Sequence, residues 1–115
     1  MRLLVCGGRD YSDKDRAFAV LDRFRAKFGC AAVIHGAARG ADSLAGAWAR
    51  ARGVPEIAEP ADWKTHGKRA GPIRNQAMLD KHAPAAVIAF PGGVGTADMV
   101  RRSRAAGLTV YELAR

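Results

Sequence analysis

Cysteine is scarce in this chain: Cys6 lies inside the first apolar run and Cys30 just before the second. Neither stands at a metal-ligand spacing or beside a histidine cluster, so no metal site is expected, and buried free thiols are expected in place of a disulfide. No stretch approaches the roughly twenty consecutive apolar residues of a membrane-spanning helix. The chain opens on the strand-like Arg2-Leu3-Leu4-Val5-Cys6 and not on a signal-peptide pattern, so a soluble, cytoplasmic protein without a membrane partner is expected. Aromatic residues make up only 7% of the sequence and sit mostly at core-like positions, which counts against a groove that stacks single-stranded nucleic acid. Acidic residues are also few, 11 against 19 lysines and arginines, and the resulting charge of +8 favours an anionic partner. Many of the cations fall on predicted helix surfaces, where solvation alone explains them, so those in loops beside glycines carry more information. Neither a Ser-His-Asp order nor a Cys-His pair in suitable loops is present.

What the sequence does contain is an alternation of apolar runs and helical patterns in a chain of 115 residues, enough for one domain with a real core. Strands are predicted over 2–6, 31–35, 54–58, 85–90 and 108–111. Between them lie four predicted helices. The first covers 13–28, with Phe18, Leu21, Phe24 and Phe28 at helical spacing, Ser12 and Asp15 as a capping box and Gly29 as a stop. The second covers 42–52, with Leu44, Ala47, Trp48 and Ala51 on one face. A third runs over 72–82, with Pro72 in its first turn and Ile73, Ala77, Met78 and Leu79 inward. The fourth covers 97–106. This order predicts a single α/β domain over residues 1–115: a Rossmann-like, three-layer unit with an open, parallel, five-stranded sheet flanked by four helices. Ligands in such a sheet bind beyond the carboxyl ends of the strands, near the point where strand order reverses.

Glycine-rich loops stand at those ends. Phe90-Pro91-Gly92-Gly93-Val94-Gly95-Thr96 follows an apolar run and precedes a helix, the arrangement in which free backbone N–H groups converge on a phosphate. A Cβ there would block close approach of a ligand. After the first strand comes Gly7-Gly8-Arg9-Asp10-Tyr11, which lacks the full G-x-G-x-x-G spacing and therefore does not support a standard dinucleotide fingerprint. Gly7 and Gly8 either let the backbone approach a phosphate or ribose, with Arg9 as counter-ion, or form a tight turn in which Asp10 or Ser12 caps the helix. The third loop is His35-Gly36-Ala37-Ala38-Arg39-Gly40-Ala41-Asp42. In it Arg39 can clamp a phosphate, while Asp42 either accepts from a ribose hydroxyl or caps its own helix; His35 reads as a structural residue ending a strand.

The segment from Asp62 to Asn75 is long for a connection and rich in donors, so it can fold over a ligand as a lid. Within it Trp63 either stacks on a base or covers the edge of the core. Arg74 and Asn75 fall in the first turn of the third predicted helix, where an arginine opposes the helix dipole unless an anion lies close.

Taken with Ala61-Asp62-Trp63 and Gly71-Pro72-Ile73-Arg74-Asn75-Gln76-Ala77-Met78, the three loops resemble the YspA-like, cpYpsA-related branch of the SLOG superfamily over almost the whole chain. That superfamily is Rossmann-like and includes the LOG phosphoribohydrolases and the DNA-processing protein DprA. The resemblance implies a nucleotide or nucleotide-derived ligand, with no further cofactor, and a homo-oligomer, expected as a dimer. In LOG enzymes the turn reads P-G-G-x-G-T-x-x-E, and its glutamate works with an upstream arginine to cleave the N-glycosidic bond of a nucleoside monophosphate. Arg74, with Met78 four residues on, matches the arginine stretch, but Met99 stands where the glutamate would be. A methionine can neither stabilise an oxocarbenium-like transition state nor orient water. The neighbouring Asp98 is rotated by roughly 100° about the helix axis.

The expectation is therefore a binding or sensor module whose ligand contacts come from Gly7, Gly8, Arg9, Asp10, Gly36, Arg39, Gly40, Asp42, Trp63, Asn75, Pro91, Gly92, Gly93, Gly95 and Thr96. The enzymatic alternative is a nucleoside-monophosphate phosphoribohydrolase or related N-glycosidase in which Arg74 works with Asp98, or with Asp10 or Asp42 in its place. Single-stranded DNA binding is the third reading.

Overall fold

In a parallel sheet covered on both sides, every residue of a central strand meets a core, so strands are near-continuous apolar runs. The computed structural model, which describes residues 1–115, shows this in β1 (Arg2–Cys6), β2 (Ala32–His35) and β4 (Ala86–Ala89), whose residues are buried apart from Arg2. The more exposed β3 (Glu56–Ala58) and β5 (Thr109–Glu112) form the edges. All pairings are parallel and the order is β3-β2-β1-β4-β5, so the strand order, which runs outward one way from β1 to β3 and the other way from β4 to β5, reverses between β1 and β4. This is the Rossmann-like arrangement expected from the alternation.

Successive residues of one strand feed two separate cores. Leu3 and Val5 join Val33 and Ile88 under α1 (Lys14–Phe28) and α2 (Ala41–Arg52), through Ala17, Leu21, Phe24, Ala45 and Trp48. Leu4 and Cys6 join Ile34 and Val87 under α4 (Ala70–His82) and α5 (Val94–Ala105), through Met78, Leu79, Met99 and Val100. The two layers thus follow from the pleat of β1. A one-turn α3 (Trp63–His66) and a 3-10 turn over Gly67–Arg69 precede α4.

Several local expectations change. Asp13, not Ser12, caps α1, accepting from Arg16 N at 3.0 Å. The buried face of α2 is Ala41, Ala45, Trp48 and Ala49, spaced i, i+4, i+7 and i+8, whereas Ala51 is exposed. Trp48 sets that face because its indole N–H reaches Asp22 at 2.8 Å while the ring fills the core. Ile73, expected inward, is exposed. The connection after β3 is short: Asp62 caps a helical turn by accepting from Thr65 N at 3.1 Å, so the segment from Asp62 to Asn75, expected as a long connection, is helical from Trp63 onward. Finally, α5 begins at Val94, three residues earlier than the pattern suggests, which places Gly95 and Thr96 in its first turn.

Candidate functional site

Three loops meet at the carboxyl edge of the sheet, and their glycines let backbone touch backbone. Gly8 N donates to Pro91 O at 2.9 Å, and Ala41 N donates to Gly8 O at 3.1 Å. The loop after β1 is therefore pinned between the loops after β4 and β2. A Cβ on Gly7 would lie 2.5 Å from the Ala41 Cβ and 2.9 Å from the Phe90 Cβ; one on Gly92 would lie 2.7 Å from Gly8 N. At Gly40 a Cβ would collide with the Gly8 carbonyl, and its φ of +74° disfavours any other residue. By contrast, a Cβ on Gly93 or Gly95 would meet nothing. From Gly92 to Thr96 the backbone N–H groups donate to no protein acceptor, as the open start of a helix requires.

Gly36 serves a different purpose. Its carbonyl accepts from the Arg74 guanidinium, and its N–H donates to Asp42 Oδ2 at 3.1 Å. A Cβ would strike the guanidinium and lie 3.0 Å from that carboxylate oxygen, so glycine here makes room for Arg74. Arg74 Nε also donates to Asn75 Oδ1 at 3.0 Å. Because α4 starts at Ala70, Arg74 stands in its second turn and not its first, and the Gly36 carbonyl accounts for part of its orientation.

These contacts frame three neighbouring cavities, and Arg9 lines all of them. An outer cavity of about 320 Å³ is walled by Arg9, Arg39, Arg74, Trp63 and the Gly36 to Ala38 backbone. Arg9 stacks over the Trp63 ring at 5.5 Å, and that ring is 49% exposed. The outer cavity adjoins a small one of about 60 Å³ lined by Asp42, Arg74, Asn75, Gly95 and Thr96, with Cys6, Met78 and Met99 also on its wall. A third, of about 580 Å³, lies along Gly8, Asp10, Tyr11, Arg16, Gly92 and Gly93. Asp10 opens onto this last cavity and not onto the two shared by Arg74.

The electrostatics are one-sided. Arg9, Arg39 and Arg74 form no ion pair, although eight ion pairs involve other residues. Burial lowers the pKa of Arg74, nearby Asp42 works to raise it, and Arg9 lowers it further. An arginine remains charged under such a shift, so the cleft carries net positive charge. The N-termini of α2, α4 and α5 add their dipoles at the same edge.

The carboxylates are placed differently from one another. Asp98 is 7% exposed and fully engaged: Oδ1 accepts from Arg101, and Oδ2 accepts from Arg102 Nε at 2.9 Å and Asn75 Nδ2 at 3.0 Å. Burial works to raise its pKa, but the Arg102 and Asn75 hydrogen bonds outweigh it and hold the group below the usual carboxylate value. Asp98 does not line the small cavity; Asn75 stands between it and Arg74. Met99, at the position of the LOG glutamate, is 1% exposed and packs in the core under α4 and α5.

Asp42 does not cap α2 either. Gly40 is the N-cap and no side chain caps that end, while Asp42 Oδ2 turns back to accept from Gly36 N and from Ala38 N at 3.2 Å. Burial raises its pKa against these bonds and the nearby His35 and Arg74. His35 shapes the same loop: Nδ1 accepts from Ala37 N at 3.0 Å, and Nε2 meets Glu56 Oε2 at 2.6 Å. Ala37 has a φ of +57°, a strained value for a non-glycine residue, held by these contacts.

Sequence reasoning thus collected most of the residues that meet here. It missed Glu56, the partner of His35, and Arg101 and Arg102, which neutralise Asp98; the i+3 and i+4 spacing of those arginines from Asp98 was the available signal.

A family model described as YspA, cpYpsA-related SLOG family matches residues 1–66. This span contains the loops after β1 and β2 and Trp63, and stops before Arg74 and the turn that opens α5. The chain is also similar to the Gene 61 protein of Mycobacterium phage D29, 39% identical over 119 residues that cover 95% of this chain and 93% of the phage protein. With more than half its residues matched by the family model, and the interlocked loops lying inside that match, the chain belongs to the YspA, cpYpsA-related SLOG family.

Proposed function

We propose that this domain binds a nucleotide or nucleotide-derived ligand in the arginine-lined cleft at the carboxyl edge of the sheet, as a sensor or ligand-binding module. The observation that carries this reading is the convergence of three arginines without ion pairs, Arg9, Arg39 and Arg74, on one cavity beside the open N-terminus of α5. A phosphate group satisfies both: the N–H groups of Gly93, Gly95 and Thr96 supply donors, and the guanidinium groups supply countercharge. The exposed Trp63 ring at the outer cavity provides a flat apolar surface for a base. Family membership is consistent with a nucleotide-related ligand.

Binding stands ahead of hydrolysis because the carboxylate nearest the LOG glutamate position, Asp98, has both oxygens occupied, and Met99 belongs to the core. Isothermal titration calorimetry with a panel of nucleotides tests the proposal. Saturable binding that weakens as salt rises is expected. No saturable binding by any nucleotide to a folded sample would remove it.

A further inference from the structure

We infer that Asp42 reads the sugar of the bound nucleotide, its free Oδ1 accepting a hydrogen bond from a ribose hydroxyl, so that the cleft prefers ribonucleotides to their deoxy counterparts. This inference rests on the nucleotide-binding proposal and narrows it to a ligand class.

Both backbone donors that reach Asp42, Gly36 N and Ala38 N, go to Oδ2. Oδ1 accepts from neither of them. The residue is only 6% exposed, yet the sole fully buried side-chain polar atom left without a partner is the Tyr11 hydroxyl, so Oδ1 keeps an opening. The cavity that Asp42 lines is the small one, about 60 Å³, shared with Arg74, Asn75, Gly95 and Thr96. This space admits a group of hydroxyl size and not a base or a phosphate.

The chemistry of the opening narrows the occupant further. A carboxylate repels phosphate, so a buried one at the edge of a cationic cleft selects a neutral donor that stands close to a phosphate in the same ligand. A sugar hydroxyl of a nucleotide meets that description. The phosphate would sit outside this small space, at its mouth, between the Gly95 and Thr96 N–H groups on its wall and the arginines of the adjoining outer cavity. Asp42 and Arg74 flank the Gly36 peptide without forming an ion pair, which leaves both side chains available to the ligand. No other carboxylate competes: Asp98 is engaged on both oxygens, and Asp10 faces another cavity.

A site built to hydrogen-bond a hydroxyl discriminates against the analogue that lacks it, because the buried acceptor then stays unsatisfied. The test is calorimetry with nucleoside monophosphates and their 2′-deoxy and 3′-deoxy counterparts, on the native chain and on Asp42→Asn. Asparagine can keep its carbonyl oxygen on Gly36 N and Ala38 N while turning an N–H₂ donor toward the cavity, so the loop is preserved and the acceptor is lost. Expected for the native chain is a preference of roughly 10- to 100-fold for the ribonucleotide over at least one deoxy counterpart, and near-equal affinities for the variant. Equal ribo and deoxy affinities in the native chain, or a preference that persists in Asp42→Asn, would overturn the role of Asp42 while leaving nucleotide binding in place. Absence of binding by every form, ribo and deoxy, would remove both.

Discussion

Apart from Gly36, which makes room for Arg74, the glycines at the carboxyl edge of the sheet divide into two groups that the primary structure writes identically. Gly7, Gly8, Gly40 and Gly92 are enclosed, with neighbouring backbone or Cβ atoms where their own Cβ would stand. Gly93 and Gly95 face open space at the start of α5. The enclosed group exists so that three loops can lock together through Gly8; the open group leaves backbone N–H donors accessible to a ligand. A glycine-rich loop is therefore not evidence of a ligand at every glycine, and this separation predicts opposite consequences for the same substitution.

The largest effect is expected at the enclosed group. Gly40→Ala introduces a Cβ against the Gly8 carbonyl at a φ of +74°, and should destabilise the fold by about 3 kcal/mol, read as a lowered urea midpoint. A variant as stable as the native chain would show that the loops can separate freely. Next in size, Arg74→Ala should weaken nucleotide affinity by roughly 100-fold, since it removes a partly desolvated cation from an anion site. Unchanged affinity in calorimetry would place the anion elsewhere.

At the open group, Gly95→Ala should leave stability within about 1 kcal/mol of native or raise it, because alanine favours the helix and its Cβ meets nothing. Its expected cost is to affinity alone, so thermal melting paired with calorimetry separates it cleanly from Gly40→Ala. Loss of stability without loss of binding would dissolve the distinction between the groups.

A smaller effect concerns the carboxylate that opens onto the cavity. Burial raises the Asp42 pKa above the usual 3.8, so its contribution to stability is fully present below that value and is lost as pH rises through the raised pKa. Asp42→Asn should therefore gain stability relative to the native chain as pH is raised from about 4 through the raised pKa, which urea titrations at several pH values would register. A constant difference across that range would contradict the sign. Smallest of all is the surface counterpart, Asp22. Hydrogen bonds from Arg52 and Trp48 lower its pKa to about 2, so its contribution is present above 3.8 and fades as pH falls toward about 2. Asp22→Asn should flatten only that acidic limb.

Much of this architecture was readable from local pattern. The run Leu3 to Cys6 announced a strand buried on both sides, and strand-helix alternation announced a parallel sheet, because burial and periodicity are properties of neighbours in sequence. Helix ends were less readable. Asp13 and Ser12 are both competent caps, and only the geometry of the turn chooses between them. Val94 and Gly95 gave no apolar periodicity, so the start of α5 was placed too late. The site was legible as a set of residues but not as a set of roles: Asp98 and Asp42 look equally available in the sequence, and the α2 face that spacing gives includes Trp48 but takes Ala47 and Ala51 where Ala45 and Ala49 are buried.

By itself, then, the sequence determined an α/β domain whose glycine loops and arginines gather at one edge of a five-stranded sheet. Tertiary structure alone decided which glycines lock the loops, which carboxylate is neutralised and which keeps an open oxygen. The physical reason is distance along the chain. Gly36 meets Arg74 across 38 residues and Asn75 meets Asp98 across 23, and pairings of that range depend on how strands and helices stack, which no local propensity or spacing encodes.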